Sequence, residues 1–338
     1  MRSRRLSSRL LLAAVLALAG AASALAVRRT EEPLGLVSDR AASVAVLHWN
    51  DLRTSPLAAE IFAQMDGVST DGDSARFLRD TGLSPKDDID TMVLAMTRGG
   101  GGSDDVLVVF EGRFDPVRIG SALTGRGATL QKGASGAGSY YRLAADSSEH
   151  GRPGAVAIVN AGLVLAGSEG AVTDALVRKE SGGAGGLMAG QGLGKQLGRI
   201  DRGASAWALV DLTRFPVTQN REAHIDVRVE GDGQPSRAIV GAMKSVQLIA
   251  LQATVHGDSV DVSAFGMTND AESRGLIEDS LKGILAMWRL AVQDKNPEMV
   301  SVLRRFSISN ESDGVSISGT LPGSFLRSLA THHEASAR

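Results

Sequence analysis

The chain has 338 residues, with 36 lysines and arginines against 38 aspartates and glutamates, six histidines and no cysteine. This slightly acidic balance lacks the basic surface that nucleic-acid binding requires, so the composition excludes a nucleic-acid partner. The lack of cysteine excludes disulfide bonds and thiol chemistry, so the fold depends on its apolar core alone.

The N-terminus has the three parts of a secretory signal peptide. Residues 1–9 contain four arginines and no acid, residues 10–26 are mainly apolar, and Ala24-Leu25-Ala26 offers small residues where signal peptidase reads them. We therefore expect cleavage after Ala26 and an exported protein, periplasmic or secreted, of a bacterial envelope. The alternative is an uncleaved membrane anchor, because the apolar run is just long enough to span a thin bilayer.

Residues 27–40 are polar and contain a proline, which predicts a leader ahead of a first unit over 41–200. Helices are expected from Ser55-Pro56 to Gln64 and from Asp115-Pro116 to Leu123, because proline suits the first helical turn. Ser168 is expected to cap a third helix. The predicted strands cover 43–50, 91–97, 105–112, 139–144, 155–160 and 163–167.

A second unit is predicted over 201–331, followed by a polar tail over 332–338. Apolar residues from Ile277 to Val292 recur at three- and four-residue spacing, which predicts a long helix over 270–293. Shorter helices are expected over 235–243, from Asn296 and over 322–330. The predicted strands cover 204–212, 246–255, 260–267, 305–310 and 314–319.

The two units share one order of elements, and each opens with an apolar strand followed by Asp-Leu, at Asp51-Leu52 and at Asp211-Leu212. Strands joined by hairpins are typical of antiparallel sheets, so we predict an α+β fold whose helices pack on one face. The shared order indicates a duplicated unit. The alternative is that two unrelated halves use the same common β-β-α arrangement.

The stretch AGQGLGKQLG, residues 189–198, has the glycines and the lysine of a phosphate-binding loop. That loop requires glycine at position 189 and serine or threonine at position 196, where this chain has Ala189 and Gln196. Leu193, Leu197 and Ile200 share a helical face. We therefore predict a short structural helix here, and no cofactor.

Two serines partly match the nucleophile motif G-x-S-x-G. Ser135 lies in GASGA and Ser168 in AGSEG, so each match fails at a required glycine, and no catalytic residue is assigned. A hydrolase built from dispersed residues remains an alternative, with Ser168 or Ser135 as nucleophile and His150 or His48 as base.

The six histidines do not have the spacing of a metal site, since no pair lies at i, i+2 or i, i+4. Two acidic clusters leave a weak calcium site as an alternative to a solvated turn: Asp66, Asp71 and Asp73, and Asp87, Asp88 and Asp90. No metal-binding residue is therefore assigned. Tyr140, Tyr141 and Trp49 have the character of a ligand surface, although core packing is the commoner role.

The run FLRDTGLSPKDDIDTMVLAM, residues 77–96, followed by VLVVFEGRFDP, residues 106–116, resembles a broad class of uncharacterised exported bacterial proteins. In that class a helix ending in TGL-P--DI enters a strand, and a GRFD turn starts the next helix. The resemblance covers mainly residues 40–215. It implies export and repeated β-β-α units, and it brings no known site residues.

These patterns favour an exported, non-enzymatic protein that binds a partner protein or a small or lipidic ligand. A partner protein predicts an exposed apolar patch, and a carried ligand predicts a dry apolar cavity of several hundred Å³. The alternatives are the dispersed hydrolase and a structural envelope protein tethered by an uncleaved signal.

Overall fold

The computed structural model describes residues 31–57, 72–98, 104–133, 136–143, 153–215, 242, 244–293 and 297–327. Its α-helices are α1 (Glu31–Leu36), α2 (Trp49–Arg53), α3 (Gly72–Thr81), α4 (Pro85–Asp88), α5 (Pro116–Gly125), α6 (Glu169–Glu180), α7 (Ala271–Val292) and α8 (Pro297–Arg304). Its strands are β1 (Ala41–His48), β2 (Ile89–Arg98), β3 (Asp104–Gly112), β4 (Thr129–Lys132), β5 (Ser139–Arg142), β6 (Gly154–Asn160), β7 (Leu163–Ser168), β8 (Ala206–Asp211), β9 (Leu248–His256), β10 (Ser259–Met267), β11 (Ser307–Glu311) and β12 (Gly314–Pro322). Short 3₁₀ segments cover Leu187–Ala189, Gly192–Arg199 and Leu212–Arg214.

All these strands form one sheet, in the order β11-β12-β10-β9-β8-β1-β2-β3-β7-β6-β5-β4. Every neighbouring pair is antiparallel, and most consecutive strands form hairpins. The predicted α+β class with hairpin-connected antiparallel strands is therefore confirmed.

The strand order is two-fold symmetric about the pair β1 and β8 at the middle of the sheet. Outward from β1 follow β2, β3, β7 and β6, and outward from β8 follow β9, β10, β12 and β11. In each half these four strands are two hairpins in the same sequence order. Only the first half continues further, through the hairpin β4–β5.

Helices lie against both faces of this sheet, rather than the single face that the sequence predicts. On one face, the α6 face, Val172 and Leu176 of α6 and Leu34 of α1 pack in one core cluster with inward residues of both halves. On the other, the α7 face, α5 covers the first half and α7 covers the second. Both faces need cover because central strands such as β2 are apolar on both sides.

The predicted polar leader is wrong for residues 31–40. Leu34 and Val37 are fully buried and Leu36 is 3% exposed, so α1 is part of the core. The local composition is polar, but the three apolar side chains face the sheet, and the bridge from Ser38 to Gly186 holds the segment there.

Several predicted features lie outside the described residues: the signal segment 1–26, the tail 332–338, and most of the helices expected to end at Gln64 and to cover 235–243. Within the described residues, no helix is both long and apolar enough to cross a bilayer.

Candidate functional site

One row of apolar side chains crosses the whole α7 face. Each strand contributes one residue, and each residue is the registered partner of the next. From β4 to β11 this apolar row consists of Leu130, Tyr141, Val156, Ala166, Val108, Leu94, Ala45, Ala208, Leu251, Ala264, Ile317 and Ile308. A solvated face of an antiparallel sheet carries polar residues at such positions, so the row has the composition of a covered face.

The described helices cover part of the apolar row on each side of its middle and leave the middle open. On one side Tyr141 and Val156 pack in the cluster of α5, while Leu130 at that end of the row is 62% exposed. On the other side Ile308 packs in the cluster of α7. Between them, Leu94 is 38% exposed and the nearby Val106 is 36% exposed.

We call this open middle the central strip. It consists of Val106 and Val108 of β3, Leu94 and Met96 of β2, Ser43 and Ala45 of β1, Ala208 and Val210 of β8, and Ile249 and Leu251 of β9. Apart from Ser43 these residues are apolar, and apart from Ala208 each is at least partly exposed. Five strands spaced by about 4.8 Å make the strip roughly 19 Å wide.

Helix α7 stands beside the central strip. Leu276 packs in the same cluster as Val246, and Val246 lies over Gly266 of β10, so this side of α7 is turned toward the middle of the sheet. Met287 lies three helical turns further along on the same side and is 45% exposed. With Trp288 at 57% exposure, it adds apolar surface next to the strip.

Two clefts of the described chain are small and charged. The larger of the two encloses about 250 Å³ and the smaller about 190 Å³. Charged side chains line both: Arg40, Arg98, Asp105, Asp174 and Arg178 in the larger, and Asp88, Arg113, Asp115 and Arg118 in the smaller. Neither lining has the apolar character that a lipidic ligand requires.

The larger cleft is held together by its own charges. Arg178 donates to the carbonyl oxygen of Leu36 at 3.0 Å and lies 3.4 Å from Asp174. Burial lowers the pKa of Arg178, and Asp174 partly offsets this effect. These contacts tie α6 to α1 and explain the cleft as a structural feature.

Ser168 and His48 both have structural partners. Ser168 is at the N-cap position of α6 as predicted, but its hydroxyl donates to Asp105 Oδ1 at 3.0 Å instead of capping the helix. His48 is buried, and its Nδ1 donates to the carbonyl oxygen of Ala204 at 2.7 Å.

The sheet also keeps these two residues apart. Gly167, next to Ser168 on β7, is in register with Val44 on β1, three strands away across the sheet. His48 lies four residues further along β1 than Val44. This separation is about 13 Å along the strands and about 14 Å across them. A base must be within hydrogen-bond reach of its nucleophile, so Ser168 and His48 do not form a catalytic pair. Ser135 and His150 lie outside the described residues.

The acids at 87–90 are engaged by neighbouring protein groups. Asp88 accepts a hydrogen bond from the backbone N–H of Ser84 at 2.8 Å, and Asp87 accepts one from the Ser84 hydroxyl at 2.6 Å. Asp90 forms ion pairs with Arg53 and Arg113 at 3.1 and 3.2 Å. Across the described ranges no three metal-ligating side chains come together. Asp66 and Asp71 lie outside those ranges.

The aromatic candidates belong to the core. Trp49 is 5% exposed and Tyr140 is 9% exposed. The Tyr140 hydroxyl donates to Glu169 Oε1 at 2.7 Å, and Arg142 donates to the other oxygen of the same carboxylate at 2.7 Å. This contact joins β5 to the start of α6.

The glycine-rich loop at 189–198 also has a structural role. Residues Gly192–Arg199 form a 3₁₀ helix, and Leu193 and Ile200 are buried against the middle of the sheet.

The central strip was not predicted from the sequence. Its signal is the continuous apolar run of strands such as β2 and β8, because a strand with one solvated face alternates apolar and polar residues. Which strands lie side by side depends on long-range pairing, which a strand's own residues do not specify.

Comparison with known proteins gives structural neighbours alone. No protein-family model and no curated protein sequence matches the chain. Three crystal forms of TP0453 resemble its fold. Form III is 12% identical, with a TM-score of 0.47 over 88% of this chain and 97% of that one. Forms I and IV are each 10% identical, with TM-scores of 0.44 and 0.43 over 88% of this chain and 96% of those chains.

Proposed function

We propose that this chain is an exported, non-enzymatic protein that binds a partner protein through the central strip. The observation that carries this proposal is the central strip: α5 and α7 cover the sheet on either side of it, while Leu94 and Val106 within it are exposed. Exposed apolar surface of this kind marks interaction sites in soluble proteins.

A partner protein fits this surface better than a small ligand. The strip is an open face of the sheet, whereas small-molecule sites are concave and enclose most of their ligand. The two clefts described above are charged and small. A partner that presents its own apolar helix or sheet face would cover the strip and contact Met287 on α7.

Site-specific photo-cross-linking in cells that produce the full chain tests this proposal. A photo-reactive amino acid at Leu94 should join the chain to a partner protein. The same amino acid at Val177, which is 44% exposed on α6 at the opposite face, serves as the control. Cross-links within one chain, or equal labelling from both positions, would contradict the proposal.

The captured partner then allows a quantitative measurement. Leu94→Asp should weaken its binding by about tenfold or more, because a charge would be buried in an apolar contact. Val177→Asp should leave the affinity unchanged. Thermal unfolding of both variants checks that the fold is intact.

Export is a separate part of the proposal and has its own test. The intact mass of the protein from the cell envelope should lack residues 1–26. A mass that includes them would favour the tethered alternative.

We also propose that the two halves derive from duplication of one unit. The support is that four strands on each side of the β1–β8 pair follow the same order, with α5 and α7 at equivalent places. Separately produced halves, 27–200 and 201–338, should associate when mixed, because β1 of one half pairs with β8 of the other.

A further inference from the structure

Strand β11 forms an open edge of the sheet. Among the described strands its partner is β12, with which it pairs from Ser307 to Glu311 without a register shift. Proteins guard such edges with proline, with charged side chains, especially lysine, or with a bulge. The sequence of β11, SISNE, has neither proline nor lysine, and its one charged residue is the last, Glu311.

The other half of the molecule shows that this position can accept a strand. Counting outward from β1 and β8, β11 occupies the place that β6 occupies in the first half. There β5 covers the outer edge of β6, with Tyr141 paired to Val156. The equivalent edge of β11 has no such hairpin within the described residues.

We propose that a second copy of this chain pairs with the open edge, β11 against β11 in antiparallel orientation, with Ile308 on the two-fold axis. Ile308 is the last residue of the apolar row, so this register continues the row directly into the second molecule. Antiparallel pairing about a two-fold axis uses one surface twice, which is the commonest form of homodimer.

The charges next to β11 suit the same register. Arg305 lies in the turn between α8 and β11, where its backbone N–H donates to the carbonyl oxygen of Val302 at 3.0 Å, and Glu311 is the last residue of β11. With Ile308 on the axis, this end of one β11 lies next to the last residue of the other. Both side chains are exposed, so Arg305 of each copy is brought near Glu311 of the other. Ser307 and Ser309, also exposed, face each other across the two chains.

The helices leave room for this pairing. Helix α7 lies over β11 and β12, where Glu278 accepts a hydrogen bond from Asn310. Two such helices over neighbouring strand pairs would be about 10 Å apart, which is close to the usual distance between packed helices. Glu278, which lies over β11, forms an ion pair with Lys282 of the same helix, so this side of α7 carries both charges.

Sedimentation velocity over a range of protein concentrations tests the proposal. The wild-type chain should form a dimer, and Arg305→Glu should raise its dissociation constant about tenfold or more, since like charges would then meet twice. The double variant Arg305→Glu, Glu311→Arg should restore the dimer. Leu94→Asp, on the central strip, should leave it unchanged.

Cysteine pairing checks the register, because the natural chain has no cysteine. A mixture of Ser307→Cys and Ser309→Cys chains should form disulfide-linked dimers under mild oxidation. Each variant alone should form few disulfide-linked dimers, because the two cysteines then lie two residues apart along the paired strands.

A chain that stays monomeric at every concentration would overturn the proposal. So would a dimer that tolerates Arg305→Glu and gives no cross-link in the mixture, because it would use another surface. Capture of a different protein's strand by Ser309→Cys, without the homodimer, would also overturn it. None of these outcomes affects binding at the central strip.

Discussion

Individual polar side chains join the sheet to its helices. Glu169 accepts hydrogen bonds from Tyr140 and Arg142 of β5 at the start of α6, and Asp270 accepts one from the backbone N–H of Ser273 at the start of α7. In both cases a carboxylate lies near the positive end of a helix dipole. These contacts fix the helices that cover the two faces.

The Tyr140 contact predicts a specific titration behaviour. The hydrogen bond to Glu169, followed by burial, raises the pKa of Tyr140 above its ordinary value. The contribution of this contact to stability is therefore complete below pH about 10 and is lost as the pH rises through the pKa of the folded state. Glu169→Gln should lower the pKa of Tyr140, because the carboxylate charge is removed.

Absorbance titration measures this pKa directly in a Tyr141→Phe background, since the chain has two tyrosines. Asp174→Asn, further along α6, is the matched control and should leave the curve in place. An unchanged titration of Tyr140 in Glu169→Gln would contradict the assignment.

Strands and hairpins are the elements that the sequence predicts best. The hairpin β9–β10 and the long helix α7 were predicted within about two residues, because their apolar spacing and turns are local signals. The burial of α1 and the placement of helices on both faces were not predicted. Both depend on which strands meet, and β1 meets β8 far along the chain.

Strand β8 is the element that joins the two halves, and Trp207 is its largest buried side chain. Trp207 packs in the same cluster as Val46 of β1 and Leu187 of the 3₁₀ segment. We expect Trp207→Ala to lower the free energy of unfolding by about 3–5 kcal/mol, through lost burial and the cavity that remains.

Urea unfolding followed by circular dichroism measures this loss. Trp288→Ala is the matched control: its side chain is 57% exposed, so a change within about 0.5 kcal/mol is expected. Equal effects of the two substitutions would contradict the placement of Trp207 in the shared core.

At the scale of the whole molecule, one sheet and one main core cluster extend across both halves. The predicted boundary between units, at residues 200 and 201, falls just before β8, and the sheet runs through it without a break. A division into two units in sequence is therefore compatible with one continuous body in space.

We expect the described fold to unfold in a single cooperative transition. The halves share the pair β1–β8 and a common core, so neither can unfold without exposing the apolar core of the other. Calorimetry should give equal calorimetric and van't Hoff enthalpies, and far-UV and near-UV dichroism should change together. Two separate transitions would show that the halves are independent domains.

The pairing of β1 with β8 also determines when the sheet can be completed during export, because this pair cannot form until β8 has followed β1. His48 bonds to Ala204, 156 residues later, so on the proposed export route β1 leaves the membrane long before its central partner. Until β8 follows, the outer edge of β1 has unpaired backbone groups and invites pairing with other chains. The newly translocated first half therefore needs protection during that interval, and its slowest folding step is the closure of the middle of the sheet.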